Sequence, residues 1–330
     1  MKSSTKLIPI TGFIVLSIMV TILLLTAANE AWISHPAVGI LASLIAIGTF
    51  IEIFLEGKTL LIEEIAPVKA SRKFFEFLAV VVGGGITFYL SRDIGLGAVV
   101  ASGLIGILAA MIVPKYGAPV YCGSFVGMSS SALFFSHTEV ALASVIAGIV
   151  YVISRDVFPG FGGKLGTIAF VGATLAAVIL GREFLITPIS DWNTNLWVLA
   201  FAIIAAPLTF YLNCNLGNGP VLASGAVGLV GGLVLPVLFP QIGNQLAVVV
   251  ICASFTGMSN TKRCPKFWHM LVAGLFTGIL FVFSTPLLGG AGGKLGTIAF
   301  ASIISVDGWI FLSKKVYGND ARQTTDPVRR

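Results

Sequence analysis

Long apolar segments follow one another along almost the whole chain, with only short polar turns between them. Each is close to the roughly 20 residues that a helix needs to cross the hydrocarbon core of a bilayer. Only 10% of the 330 residues are charged and 56% are apolar, whereas a soluble domain carries about 25% charged residues. The pattern excludes a soluble globular domain, a disordered chain and a coiled coil, and it predicts an all-α polytopic membrane protein.

The apolar pattern predicts twelve segments, which must be helical or shielded by protein because lipid cannot satisfy bare backbone groups. The first segment follows two lysines as a signal peptide would, but it is long and has no obvious cleavage site, so we interpret it as an uncleaved span. The mixed stretch 57–73 predicts a short helix in the cytoplasmic interface. The approximate segments are 8–27, 36–55, 74–91, 95–114, 117–135, 138–154, 160–181, 195–213, 217–238, 243–259, 267–285 and 287–313.

The distribution of Lys and Arg predicts which side of the membrane each turn faces. With the N-terminus inside, 17 of the 20 Lys and Arg residues fall in cytoplasmic turns or in the tail 314–330. Only Arg92, Arg182 and Lys294 fall on the other face. We therefore expect both termini in the cytoplasm of a bacterial-type inner or plasma membrane, and we interpret the net charge of +6 as an orientation signal, with no nucleic-acid partner.

One nine-residue sequence, GGKLGTIAF, occurs twice, at 162–170 and at 292–300. With the same spacing between the copies, YCGSFVGMSS at 121–130 matches ICASFTGMSN at 251–260 in most positions. Further upstream the match continues with a slightly shorter spacing, so that TFYL at 87–90 faces TFYL at 209–212. The sequence therefore predicts two copies of one unit, 74–181 and 195–313, with the first two segments in 1–73 outside them.

The number of crossings in each copy decides how the copies are related. If all five segments of a copy cross, the second copy starts on the opposite side of the membrane and the repeats are inverted. If the segment containing YCGSFVGMSS only re-enters, the repeats are parallel. The parallel arrangement leaves 16 instead of 17 basic residues inside, so charge hardly separates the two. We favour inversion, with broken or re-entrant helices, because many transporters are built in that way.

The glycine turns, which we define as GGKLGT at 162–167 and 292–297, place two glycines and a lysine before an apolar helix. A helix that begins at membrane depth presents unpaired N–H groups and the positive end of its dipole, which suit an anion or a polarised oxygen. The alternative is close helix packing, with the lysine reaching the headgroups. Lysine in both copies favours binding, because packing needs only small residues. The predicted ligand residues are Gly162, Gly163, Lys164, Thr167, Gly292, Gly293, Lys294 and Thr297.

The hydroxyl segments, which we define as residues 121–130 and 251–260, carry serines around a glycine. Hydroxyls and freed carbonyls in a broken helix can replace the hydration shell of a small solute or ion. The alternative is a helix pair joined by serine hydrogen bonds, which is common in membranes. The predicted solute-binding hydroxyls are those of Ser124, Ser129, Ser254 and Ser259.

Cysteine and acidic residues provide weaker candidates. Cys122 with Met128, matched by Cys252 with Met258, could offer sulfur ligands to copper(I), but both residue types are ordinary in buried packing, so we expect neither a metal nor a cofactor. Acids in or beside apolar segments could carry a coupling proton, and none has a counterpart in the other copy. These acids are Glu52, Glu56, Glu139 and Asp307.

Together these features predict a membrane permease for a small solute or ion, with a bias towards anions and a path between the two copies. Two alternatives stay open: a passive channel of the same architecture, and a non-transporting scaffold subunit. No catalytic motif is present in the sequence, so we do not expect an enzyme. The expected partners are the solute and the lipid bilayer, and a homo-oligomer stays open.

Overall fold

The computed structural model describes residues 4–62 and 68–317, and within these ranges the chain is helical with no β-strand. The prediction of an all-α chain is confirmed there. The helices are α1 (Ser4–Ser34), α2 (Pro36–Ile62), α3 (Ala70–Arg92), α4 (Ala98–Ile112), α5 (Gly117–Gly127), α6 (His137–Ile153), α7 (Lys164–Ile179), α8 (Trp192–Phe210), α9 (Pro220–Leu238), α10 (Gly243–Gly257), α11 (Phe267–Phe283) and α12 (Lys294–Tyr317).

Six of the described helices are long and apolar enough to cross a membrane: α1, α2, α3, α9, α12, and α8 with the short π-helical stretch Tyr211–Asn215 that continues it. The most apolar window of α12 is 78% buried, against 33% to 44% in the other five. Helix α12 therefore lies at the centre of the molecule, where it packs against α1, α2, α7, α10 and α11. The count of twelve membrane segments and the repeat stay predictions.

The outer helices expose large apolar side chains. Along α1, Ile14, Ile18, Ile22 and Leu25 are 42% to 56% exposed, and their spacing of three or four residues places them on one face of the helix. A soluble protein rarely exposes a continuous apolar face of this kind. The exposed face and the six long apolar helices fit an integral membrane protein whose surface contacts lipid.

Helices α5, α7 and α10 are shorter than a membrane span. Helix α5 has 11 residues, about 16 Å of rise against a hydrocarbon core of about 30 Å. The predicted segment 117–135 is therefore not one continuous helix, because α5 ends at Gly127. Helices α7 and α12 begin at Lys164 and Lys294, as expected from the glycines before them. Gly163 (φ +77°) and Gly293 (φ +91°) adopt a backbone conformation that side chains disfavour.

The described part of 57–73 does not form the predicted separate interfacial helix. Residues 57–62 continue α2, and α3 begins at Ala70. Residues 63–67 lie outside the described residues, as do the first three residues and most of the tail, 318–330. The predicted orientation of both termini therefore stays a prediction.

Helix α2 packs lengthwise against α12. The Thr49 hydroxyl donates a hydrogen bond to the carbonyl of Ala301 (3.1 Å), and the Trp309 indole donates to the carbonyl of Leu44 (3.0 Å). Gly48 allows this approach, since a Cβ atom there would overlap the backbone of α12. The two N-terminal helices thus cover one side of the central helix.

Candidate functional site

The two glycine turns meet at the centre of the molecule. Gly163 lies against the backbone of Gly296 and Phe300, while Gly293 lies against the backbone of Gly166 and Phe170. As the chain advances from 163 to 166, its contacts on α12 move back from 300 towards 293. Helices α7 and α12 therefore cross antiparallel at their first turns, with backbone against backbone.

Each glycine-turn lysine reaches back to the end of the preceding helix. The Lys164 ammonium donates hydrogen bonds to the carbonyls of Ser154, Arg155 and Val157, at 2.7 to 3.3 Å. These carbonyls follow α6, whose C-terminal end carries a partial negative charge. The lysine therefore caps α6, and its predicted contact with a solute stays a prediction.

The second lysine has the same arrangement. The Lys294 ammonium donates to the carbonyls of Ser284, Thr285 and Leu287, at 2.8 to 3.2 Å, and so caps the end of α11. Every acceptor lies 130 residues after the corresponding acceptor of Lys164. The predicted role of this lysine as a solute ligand likewise stays a prediction.

Two of the predicted serines join a hydroxyl segment to the glycine turn that lies further from it along the chain. The Gly162 amide donates to Ser259 Oγ (2.9 Å), and the Gly292 amide donates to Ser129 Oγ (3.0 Å). Both serines are buried. The structure thus brings Ser129, Ser259, Gly162 and Gly292 together, and the serines satisfy amides that sequence analysis offers to a ligand.

The other two predicted serines each join two helices. Ser124 Oγ lies 2.9 Å from Ser102 Oγ, and Ser254 Oγ lies 2.8 Å from Ser224 Oγ. The Tyr121 hydroxyl lies 3.0 Å from Ser224 Oγ and connects α5 to α9. These hydroxyls form the serine-bonded helix pairs that sequence analysis gives as the alternative, and they hold α4 and α9 near the centre.

The threonines of the glycine turns are fully buried. Thr167 Oγ1 makes a long hydrogen bond of 3.4 Å to the carbonyl of Gly163. Thr297 Oγ1 has no hydrogen-bond partner among the described residues. The structure therefore leaves one buried hydroxyl in the first turn of α12 able to accept or donate a further hydrogen bond.

The sulfur atoms contact the same turns. Cys122 Sγ lies 3.1 Å from the carbonyl of Leu165, and Cys252 Sγ lies 3.2 Å from that of Leu295. Among the described residues, no group of three or more His, Cys, Asp or Glu side chains is arranged to hold a metal ion. Both thiols pack against the first residues of α7 and α12.

A cavity of about 200 Å³ lies beside the second glycine turn. Its inner wall includes two aromatic rings, Phe125 and Phe255, whose centroids are 4.4 Å apart. We call this cavity the vestibule. Among its lining residues are Ala98, Phe125, Ser130, Phe255, Ala291 and Lys294.

A buried arginine near the first glycine turn was not predicted from the sequence. Arg263 was expected as a cytoplasmic loop charge, but its side chain is only 2% exposed and forms ion pairs of 3.1 to 3.2 Å with Glu52, Glu56 and Asp307. The signal was present, because three acids in apolar helices need a partner. The ion pairs could not be predicted from the sequence, because Arg263 lies 211 residues from Glu52 along the chain.

The fourth predicted acid lies apart from this cluster. Glu139 forms an ion pair with Arg182, and its other oxygen accepts a hydrogen bond from the Phe135 amide (2.8 Å). Ser136 caps the same helix by accepting from the Glu139 amide. Glu139 thus stabilises the start of α6, in the manner of a capping box.

The fold and this central crossing define a helical protein whose apolar helices fit a membrane. In comparisons with protein-family models, curated proteins and solved structures, nothing matches this chain.

Proposed function

We propose that the chain is an integral membrane permease for a small solute or ion, built from two inverted copies of one unit. The observation that carries this proposal is the antiparallel crossing of α7 and α12 at Gly166 and Gly296. Equivalent helices that begin at the centre and run in opposite directions are the usual way in which repeat-built transporters form a site at the membrane midplane.

A second pair of equivalent helices supports inversion. Gly103 of α4 lies against Gly225 and Leu229 of α9, whereas Gly232 lies against Val100. The contacts therefore run in opposite directions along the two helices. Antiparallel crossings of equivalent helices in two separate places support a two-fold axis perpendicular to those helices, which is the relationship in an inverted repeat.

The breaks in the helices support a path at this centre. Backbone that is not helical is tolerated at membrane depth only where protein buries it or where it lines a cavity. Here the glycine turns are buried against each other, and the second one also lines the vestibule. We place the solute path along this interface. The bias towards anions rests on the positive charges of Lys164 and Lys294 and on the nearby helix N-termini.

The inversion is tested by comparing two equivalent exposed residues. Ile94 is 52% exposed, and Leu216, its equivalent in the upstream match, is 55% exposed. Ile94→Cys and Leu216→Cys, each with Cys214→Ser, are labelled in sealed vesicles with a membrane-impermeant maleimide. Inverted copies place the two thiols on opposite faces, so that only one is labelled from outside. Labelling of both thiols from the same face would contradict inversion and support the parallel arrangement.

Transport itself is tested with purified protein in liposomes. Stopped-flow light scattering follows the entry of urea, glycerol, formate and inorganic phosphate. We expect flux of at least one probe above that of protein-free liposomes. Flux that does not depend on proton or sodium gradients would indicate the passive channel. Protein that is folded but adds no flux for any probe would favour the scaffold subunit.

A further inference from the structure

The two glycine turns are nearly identical in sequence, but their surroundings differ at two equivalent positions. Ala291, which lines the vestibule, corresponds to Phe161, since each directly precedes the paired glycines of its turn. Ser130, which also lines the vestibule, corresponds to Asn260, the last residue of the other hydroxyl segment. In both cases the larger side chain is at the first turn. Two positions that line the cavity at the second turn therefore carry bulkier residues at the first.

Phe161 is held by aromatic and cationic neighbours. Its ring lies under the Arg263 guanidinium, with 4.0 Å between Arg263 Cζ and the ring centroid. The rings of Phe158 and Phe300 each lie 6.2 Å from it, edge to face. Phe161 is 6% exposed. A cation over a buried ring is attractive, so Phe161 has a defined position and does not move freely.

Arg263 is in turn fixed both to the stretch before the first glycine turn and to helices α2 and α12. Its Nε donates to the carbonyl of Pro159 (3.1 Å), while its terminal nitrogens pair with the three carboxylates described above. Glu56 also accepts a hydrogen bond from the Phe158 amide (2.8 Å). The cluster thus ties the stretch before the first glycine turn to α2 and α12.

The equivalent of Arg263 on the vestibule side is apolar. Arg263 is the third residue after its hydroxyl segment, and the same place in the first copy holds the buried Leu133. This leucine packs against Gly290, the counterpart of Gly160. Leu133 cannot form a cation–π contact or an ion pair, and the alanine at 291 offers no ring to hold. The contact of the Arg263 guanidinium with the Phe161 ring, which we call the clamp, is therefore a feature of the first turn. Leu133 and Ala291 at the second turn cannot form it.

We propose that the vestibule at the second glycine turn is the open entrance of the solute path and that Phe161, clamped by Arg263, is the closed gate at its other end. This inference rests on the proposed function. The solute class is one small enough for about 200 Å³ and able to accept hydrogen bonds from the turn. In the predicted orientation, the entrance faces away from the cytoplasm. Passage requires the Phe161 ring to leave Arg263.

Cysteine accessibility tests the asymmetry without requiring transport. Ala291→Cys and Phe161→Cys, each with Cys214→Ser, are treated in detergent with a small charged methanethiosulfonate, and labelling is measured by mass spectrometry. We expect Ala291→Cys to react quickly and Phe161→Cys to react more slowly by a factor of about ten or more. A factor of ten corresponds to a barrier about 1.4 kcal/mol higher. Equal reactivity at the two positions would overturn the proposal.

Flux measurements test the gate. In liposomes, Phe161→Ala should raise the flux of formate, urea or glycerol about tenfold or more, equivalent to a barrier about 1.4 kcal/mol lower. The matched variant Ala291→Phe fills the entrance and should abolish flux, also when combined with Phe161→Ala. Size-exclusion elution and the melting temperature confirm that each variant is folded.

The outcomes separate the two proposals. Wild-type flux that is unchanged by a folded Phe161→Ala variant would overturn the gate while leaving the permease intact. Absence of flux in the wild type and in every folded variant would overturn the proposed function itself. If Phe161→Ala does not fold, the labelling comparison decides the asymmetry.

Discussion

Where α7 crosses α12, a methyl group on Gly166 would come within 2.5 Å of the Cα atom of Gly296. The reverse substitution meets the backbone of Gly166 in the same way. Backbone atoms cannot move aside as a flexible side chain can. The contact between these two glycines is therefore a tight constraint on how α7 and α12 meet.

Replacing either of these glycines by alanine should push the crossing helices apart. We expect Gly166→Ala and Gly296→Ala each to reduce stability by about 1–3 kcal/mol, the usual effect of overpacking a dense interior. The measurement is thermal unfolding of the purified protein. Gly85 of α3 provides the matched control, since nothing lies within 4 Å of its Cβ position. Gly85→Ala should be neutral or slightly stabilising, and an equal loss there would contradict the argument.

Removing a lysine from a glycine turn should destabilise the helix end that it caps. Lys164→Met and Lys294→Met each leave three carbonyls without the ammonium, and we expect a loss of about 2 kcal/mol or more, because hydrogen bonds to charged groups are worth about 1.5–3 kcal/mol each. Lys69→Met, at an exposed lysine, serves as control in the same thermal measurement. Unchanged stability with abolished flux would instead assign the lysines to solute binding.

The buried arginine should be more sensitive than any single acid that it contacts. Arg263→Met leaves three buried carboxylates without their cation, and we expect a loss of about 3–5 kcal/mol, seen as low yield and a low melting temperature. Glu52→Gln should have a smaller effect, because Arg263 keeps Glu56 and Asp307. Arg92→Met is the control, because Arg92 is exposed and donates a hydrogen bond of 2.8 Å to the carbonyl of Phe135. A larger effect at Glu52 than at Arg263 would contradict this order.

The four cysteines should differ in their reactivity towards N-ethylmaleimide. Cys122, Cys252 and Cys264 are buried, whereas Cys214 is partly exposed. Since a reagent must reach the thiol, we expect peptide mass spectrometry to find only Cys214 modified in the folded protein, and all four after denaturation in detergent. Rapid modification of Cys122 or Cys252 before unfolding would show that the central turns are open to solvent.

Several local features follow from the sequence because neighbouring residues decide them. Apolar segments of membrane length predict helices, and the described chain is helical. Paired glycines before a lysine predict the beginnings of α7 and α12, because Gly163 and Gly293 can adopt a positive φ. The repeated GGKLGTIAF also predicts that both turns share one conformation. They do share it, down to lysine contacts with carbonyls seven to ten residues earlier.

Partners that are distant along the chain could not be predicted in this way. Ser129 could bond either glycine turn, and only the packing of the helices places it on Gly292. Arg263 carries no local sign of burial, since its carboxylate partners come from α2 and α12. The difference between a vestibule and a filled space depends on how large the side chains at 161 and 291 are relative to the backbone around them.

The sequence by itself determined that this chain forms apolar helices and where two of them begin, because backbone preference and hydrophobic burial act locally. The repeated motif is visible in the sequence directly. Only the tertiary structure decided which donors and acceptors meet, because a buried polar group must be satisfied by whichever partner the fold brings within reach. It therefore placed the two glycine-turn lysines on the ends of helices and a loop arginine at the centre of a buried cluster.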